Sequence, residues 1–264
     1  MKREFYIAVS SFTMIYTVIG ARRGTGLEVV RRLTEKLNSE VTEIRAVLRV
    51  LDNAPEELRA PADTRVKLVI ANASSSESLS ASGCLIGSRC VFFCASAATV
   101  KNYKEVDELG VKVVAEAALA CSVPKVVLVS SQLVHPRNKW HCMRLLLNNV
   151  FTNGIMDFKF AGEQHLRKSG VQSYVIIRPG QLIDGPLHYG SVCVGQTNEH
   201  FMSGMATTRA DVADVCVAAA TCDRCNNVTF ECASTPAPGC SATPINADQL
   251  LGELSAEWDR VTFL

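Results

Sequence analysis

A doubly wound α/β domain, with a mostly parallel sheet covered by helices on both faces, is the fold class that this sequence predicts. Two observations carry it. Short β-branched runs alternate with amphipathic stretches along the chain, and the first run ends directly in the glycine-rich turn Gly20-Ala21-Arg22-Arg23-Gly24-Thr25-Gly26. Near-continuous apolar strands separated by helices have to be covered on both faces, which is the situation of a parallel sheet.

The elements follow in order. Thr13–Ile19 reads as the first strand, and Leu27, Val30, Leu33 and Leu37 fall at helical spacing after the turn. Ile44–Leu48, Val66–Ile70 and Val91–Cys94 read as strands two to four. Val106–Cys121 is a long helix closed by Pro124, and Val126–Val129 is strand five. Phe158–Lys168 is a helix that stops at Gly170, and Tyr174–Ile177 is strand six. Arg209–Cys222 is the last helix and Val228–Glu231 the last strand. About seven strands are expected, in the order 3-2-1-4-5-6 around the first. Residues 13–234 are read as this single domain, 1–12 as an N-terminal extension and 235–264 as a tail whose Pro- and Ser-rich start is a connector. Ser131–Ile155 and Asp184–Thr208 read as long loops at strand C-termini, the end where open α/β sheets bind ligands.

Composition narrows the function classes. The chain has 264 residues, 48% apolar and 20% charged, with a net charge of +1. That balance argues against a nucleic-acid or membrane-surface partner. Phe5–Ile19 is interrupted by Ser10, Ser11 and Thr13 and is too short to span a bilayer. The expected compartment is the cytoplasm, with an organelle reached through the N-terminal segment as the alternative. The 11 cysteines have no regular spacing and sit in apolar runs, so they read as reduced thiols. Cys222-x-x-Cys225 lacks the second pair that a zinc site needs, and no metal is expected.

The glycine turn carries the most chemistry. A strand, a turn with Gly20, Gly24 and Gly26, and then a helix is the context in which backbone N–H groups and the helix dipole hold a pyrophosphate. This is the arrangement of a Rossmann dinucleotide site. Arg23 stands in the turn and Arg49 at the end of strand two, where the adenosine ribose lies. An acid there holds a 2′-hydroxyl and an arginine suits a 2′-phosphate. NADP(H) is therefore the expected cofactor and NAD(H) the alternative. The competing reading makes both arginines solvated surface charges.

These residues resemble the short-chain dehydrogenase/reductase superfamily, and within it the atypical, NmrA-like members and the chloroplast translocon-associated reductase-like proteins. The resemblance runs from about Thr17 to Glu231. It rests on Gly20-x-x-x-Gly24-x-Gly26, on Arg45–Arg49, on Val106–Val111 with Ala117-Ala118, and on Val127-Leu128-Val129-Ser130-Ser131. Arg178-Pro179-Gly180 and Thr208–Ala213 extend it. The resemblance implies cofactor contacts from Gly20, Arg22, Arg23, Gly24, Thr25, Gly26 and Arg49. It adds Asn72, Ala73, Cys94 and Ala95 at strand ends, Ser130, Lys159, and the Arg178-Pro179-Gly180 turn. Ser131 and Lys159 are the implied catalytic residues.

Two positions depart from the family. Asn72 stands where an adenine-reading aspartate is usual, and Ile155 where the Tyr-x-x-x-Lys pattern places tyrosine. Carbonyl reduction needs a proton donor on the developing alkoxide, and isoleucine cannot supply it. The remaining donors are Ser130, Ser131, Lys159, His135 and His141, the two histidines lying in the loop after strand five, where the competing reading makes them ordinary surface residues. The expectation is an NADPH-dependent oxidoreductase acting on a small carbonyl or enone. The alternative is a catalytically weak NADP(H)-binding module that signals to a protein partner. Substrate and oligomeric state are not specified by these residues.

Overall fold

The computed structural model describes residues 14–37, 41–151, 153–187, 191–196 and 206–235, together with Leu251 and Leu254. The N-terminal extension and the connector after Thr235 lie outside the described residues.

Strand β1 (Met14–Ile19) leads into helix α1 (Thr25–Lys36), then β2 (Val41–Leu48), the short α2 (Glu56–Arg59) and β3 (Val66–Ile70). Helix α3 (Ser76–Ser82), β4 (Ser88–Phe93), α4 (Val111–Ala120) and β5 (Lys125–Val129) follow. Next come α5 (Cys142–Leu145), α6 (Ile155–Lys168), β6 (Ser173–Pro179), β7 (Gln181–Ile183), β8 (Ser191–Gly195), β9 (Ala206–Thr208), α7 (Arg209–Thr221) and β10 (Val228–Thr235). The main sheet has eight strands in the order β3-β2-β1-β4-β5-β6-β10-β8, parallel except for β8 at one edge, which runs antiparallel to β10. The predicted order around β1 is the observed one.

Alternation in β1 shows why a continuous apolar strand belongs here. Tyr16 and Val18 enter the core on the α1–α7 face, while Ile19 enters the core on the α3–α4–α6 face. Both faces of every central strand are therefore buried. On α1, Val29, Val30 and Leu33 form the buried stripe. Leu33 is fully buried, so Leu33→Ala removes packing worth about 2–5 kcal/mol. Helix α7 shows no solvent-facing stripe along its middle, because the eleven consecutive residues Ala210–Ala220 are all buried. It is covered by α1 on one side and the sheet on the other, and its buried Asp214 pairs with Lys36 of α1 at 2.6 Å. Lys125 reaches the other end, donating to Ala219 O and Cys222 O at 3.2 and 2.8 Å, where a cation suits the helix dipole.

Several expectations need correction. The segment Ser131–Ile155 is not a plain loop: it holds a 3₁₀ turn at Pro136–Asn138, α5, and a wide π-helical turn over Leu146–Phe151. The segment Asp184–Thr208 contains β8 and β9. β9 pairs with β7 in a separate two-stranded parallel sheet, and at three residues each Gln181–Ile183 and Ala206–Thr208 are too short to signal strands by period. Helix α6 begins at Ile155, behind the left-handed Gly154, rather than at Phe158. The helix predicted from Val106 begins at Lys104 and is π-helical through Gly110. In the tail, Leu251 is buried against the α1–α7 core.

Candidate functional site

The C-terminal ends of β1, β2, β3 and β4 open into a cleft of about 470 Å³. It lies where the chain leaves β1 for strands on opposite sides, the switch point of a doubly wound sheet. The glycine turn forms its floor. Gly20 has φ +84°, and a Cβ on it would lie 2.6 Å from the backbone nitrogen of Ala95. A Cβ on Gly26 would lie 2.3 Å from the carbonyl oxygen of Gly20. These contacts seat the turn between β1 and the end of β4. Amides of Gly20 and Ala21 donate to Val47 O at 3.1 and 3.3 Å, which ties the start of the turn to β2. Gly24 occupies the cap position of α1 and supplies no side chain to it, so no side chain caps the helix N-terminus. Gly24 and Thr25 bring that N-terminus, with its unpaired N–H groups and the positive end of the dipole, to the cleft lining.

Of the predicted cofactor residues, Gly20, Arg22, Arg23, Gly24, Thr25, Arg49, Asn72, Ala73, Cys94 and Ala95 line this cleft. Gly26 lies one layer behind, packed on Gly20. Asn72 shapes the β3 end: its carboxamide oxygen accepts from Ser74 N–H at 3.1 Å, and its own N–H donates to Ser78 Oγ at 2.9 Å. Cys94 is half-buried in the cleft wall, and desolvation pushes its thiol up to about 12. Among the described residues, the charged side chains on the lining are Arg22, Arg23, Arg49 and Arg209, and none is a carboxylate.

Beyond Ala95, which lines both spaces, lies a pit of about 10 Å³ between the ends of β4 and β5. Ser130 and Lys159 line it. The Lys159 ammonium is 2.7 Å from Oδ1 of Asp107, a carboxylate that is 2% exposed. The same carboxylate accepts from Ser96 Oγ at 2.8 Å and from Ala97 N–H at 3.1 Å. Asp107 thus ties the lysine to the loop that follows β4 and forms the cleft wall. Sequence reasoning missed it, although it stands inside the Val106–Val111 stretch that carried the resemblance.

Ser130 donates through Oγ to Glu163 Oε1 at 2.6 Å. Glu163, fully buried on α6, also accepts from Arg178 Nε and Nη2 at 2.9 and 2.6 Å and from Arg167 at 3.2 Å. Burial alone would raise the Glu163 carboxyl, but the charges of Arg178 and Arg167 and the Ser130 hydroxyl hold it below the usual carboxylate range. Arg178 is 1% exposed and also approaches Glu231 on β10 at 3.5 Å. Burial raises the Glu231 carboxyl to about 7 despite Arg178.

Ser131, Arg178, Pro179 and Gly180 line neither space. Pro179 accepts from Gln132 N–H and Gly180 donates to Cys232 O, both at 2.9 Å, so this turn links β5, β6 and β10. Ile155 is the first residue of α6. Each of His135 and His141 accepts through Nδ1 a backbone N–H two residues on, from Arg137 and Met143, and His135 also meets Phe160 of α6 edge-on. Cys222 and Cys225 are buried in the α1–α7 core rather than displayed at a surface site.

A family model for NAD(P)H-binding proteins matches residues 20–223. An uncharacterized chloroplastic protein of Arabidopsis thaliana is 33% identical over 138 residues, covering 50% of this chain; the chain spans 39% of that relative's length. Among solved structures, the oxidoreductase YlbE of Lactococcus lactis superposes with a TM-score of 0.70 at 18% identity, over 91% of this chain and 98% of that one. An anaerobilin reductase of Escherichia coli gives 0.66 at 19%, over 86% and 100%. A wide-type short-chain dehydrogenase/reductase of Veillonella parvula, in complex with NADP, gives 0.64 at 14%, over 86% and 99%. At these identities the structures establish the shared fold.

Proposed function

The chain belongs to the NAD(P)H-binding family, and within it we propose that this protein holds NADPH and acts as an oxidoreductase of the atypical short-chain type on a small carbonyl or enone. The observation that carries the cofactor assignment is the cleft lining, where Arg22, Arg23 and Arg49 stand with no carboxylate among the described lining residues. The residues fit a dinucleotide. The N-terminus of α1 has no side chain of its own to cap it, and Gly20 and Gly26 leave no room for a Cβ. Arg23 and Arg49 would hold the 2′-phosphate, and the α1 amides the diphosphate. When bound, the cofactor supplies a hydride.

The rest of the site bears on rate. Ile155 offers no proton, and the hydroxyl of Ser130 is directed at Glu163. Lys159 is already fixed by Asp107. General acid catalysis contributes about 10²–10⁴-fold, so turnover on simple ketones is expected to be slow. The same closed arrangement favours the second reading, a module that holds NADP(H) and signals to a protein partner.

Titration of NADPH and NADH against wild type and an Arg23→Ala, Arg49→Ala double variant tests the cofactor assignment. A charged hydrogen bond is worth about 1.5–3 kcal/mol, so each arginine should supply about a tenfold preference for NADPH. Equal wild-type affinities refute it. A turnover number near about 10 s⁻¹ on a simple ketone would exclude the second reading and require another proton donor.

A further inference from the structure

Arg209 lines the cleft, on an element far along the chain from the glycine turn. It is the first residue of α7. Its Cδ and Nε lie 3.4 Å from the point where a Cβ on Gly24 would sit, so the guanidinium stem rests on the cap position of α1. Its Nη1 is 2.7 Å from Asp184 Oδ1.

The placement is built by the small β7–β9 sheet. Ile183 and Thr208 are register partners in that parallel pair, so the next residues on each strand, Asp184 and Arg209, emerge side by side. Thr208 is fully buried and caps α7 by accepting from Asp211 N–H at 3.1 Å, which fixes the backbone from which Arg209 departs. A cation in the first turn of a helix opposes the dipole, and here it also faces the positive end of α1. Among the described residues it pairs with Asp184, whose side chain is 92% exposed while that of Arg209 is 29% exposed. An ion pair with so exposed a partner contributes little, about 0–1 kcal/mol.

We infer that Arg209 is a diphosphate-binding residue, and that Asp184 holds it in place until a nucleotide diphosphate displaces the carboxylate. The inference rests on the proposed nucleotide function and adds a second wall to it: the α1 N-terminus grips the diphosphate from below and Arg209 from the β7–β9 side. An arginine fork suits two phosphate oxygens better than one carboxylate at the surface. Arg23 and Arg49 discriminate NADPH from NADH, whereas Arg209 acts on what the two cofactors share.

Calorimetric titration with NADPH, NADH and adenosine 2′-monophosphate separates these roles. Arg209→Ala should weaken NADPH and NADH by the same factor, about tenfold, and leave adenosine 2′-monophosphate unchanged. Asp184→Asn should tighten both dinucleotides by about twofold to fivefold, and that gain should vanish in the Arg209→Ala background. Unchanged dinucleotide affinity in Arg209→Ala, or an equal loss for adenosine 2′-monophosphate, overturns the assignment. So does a tightening by Asp184→Asn that persists without Arg209. Asp184 is exposed, so its variant reports even if Arg209→Ala fails to fold. Wild-type protein that binds none of the three ligands would instead overturn the nucleotide function itself.

Discussion

At the β2–β3 side of the cleft, Arg22, Arg23 and Arg49 line an open space, and Arg23 and Arg49 are exposed to solvent. At the β5–β6 side, Lys159, Asp107, Ser130, Glu163 and Arg178 also bring charge together, but the charges meet one another inside the protein. The contrast is between charge kept for a ligand and charge used to join elements. A hydrated arginine loses little when an anion replaces its water, so the first region can exchange partners. A buried carboxylate such as Glu163 has no water to return to, and its partners fix how α6, β5 and β6 meet. Resemblance alone puts residues of both regions in one site, and the geometry assigns them different work.

The comparison breaks most visibly at Glu163. Removing one member of a buried ion pair costs about 3–5 kcal/mol, because the other charge is left uncompensated. Glu163→Ala should therefore lower the denaturation midpoint sharply, with NADPH affinity of the folded fraction little changed. A large affinity loss without destabilisation would place Glu163 in the cofactor site. Because its folded carboxyl sits below the usual range, its stabilisation is present above the ordinary value and is lost as pH falls through the folded one.

Glu231 has the opposite sign. Its folded value is raised from 4.5 to about 7, so folding favours its protonated form. The resulting penalty is absent below the ordinary value, grows as pH rises between the two, and is complete above about 7. The shift corresponds to on the order of 3 kcal/mol as an upper figure. Glu231→Gln should thus melt increasingly above wild type as pH is raised from 5 to 8, with pH values chosen to bracket the shift at roughly these points. A constant difference across that range would show that Arg178 already neutralises Glu231.

The smallest effect sharpens the boundary between the regions. Lys159→Ala should weaken NADPH binding only about threefold to tenfold, since the lysine is tied to Asp107 and acts at the edge of the cleft. Ile155→Ala should leave binding unchanged, being an apolar residue at the start of α6. A loss of binding in Ile155→Ala would move the cofactor deeper toward α6 than this division allows. Cys222 and Cys225 are buried in the α1–α7 core, and serine at both is expected to destabilise by about 1–3 kcal/mol per buried hydroxyl.

The sequence by itself determined the parallel sheet and its order, because burial on both faces demands runs such as Val126–Val129 and their alternation with amphipathic helices. It also determined the glycine turn and marked Arg23 and Arg49, since a strand, a turn and a helix read locally and their place in a doubly wound sheet follows from the order. Only the tertiary structure decided what meets across the chain. Asp107 on Lys159, Glu163 on Arg178, and Arg209 on the cap of α1 join elements with no shared period. The β7–β9 pair, at three residues a strand, has too little alternation to declare itself, yet it sets Asp184 beside Arg209. The physical reason is range. Periodicity records which side of its own element a residue must bury, and it carries no record of which distant charge will neutralise it once the elements pack.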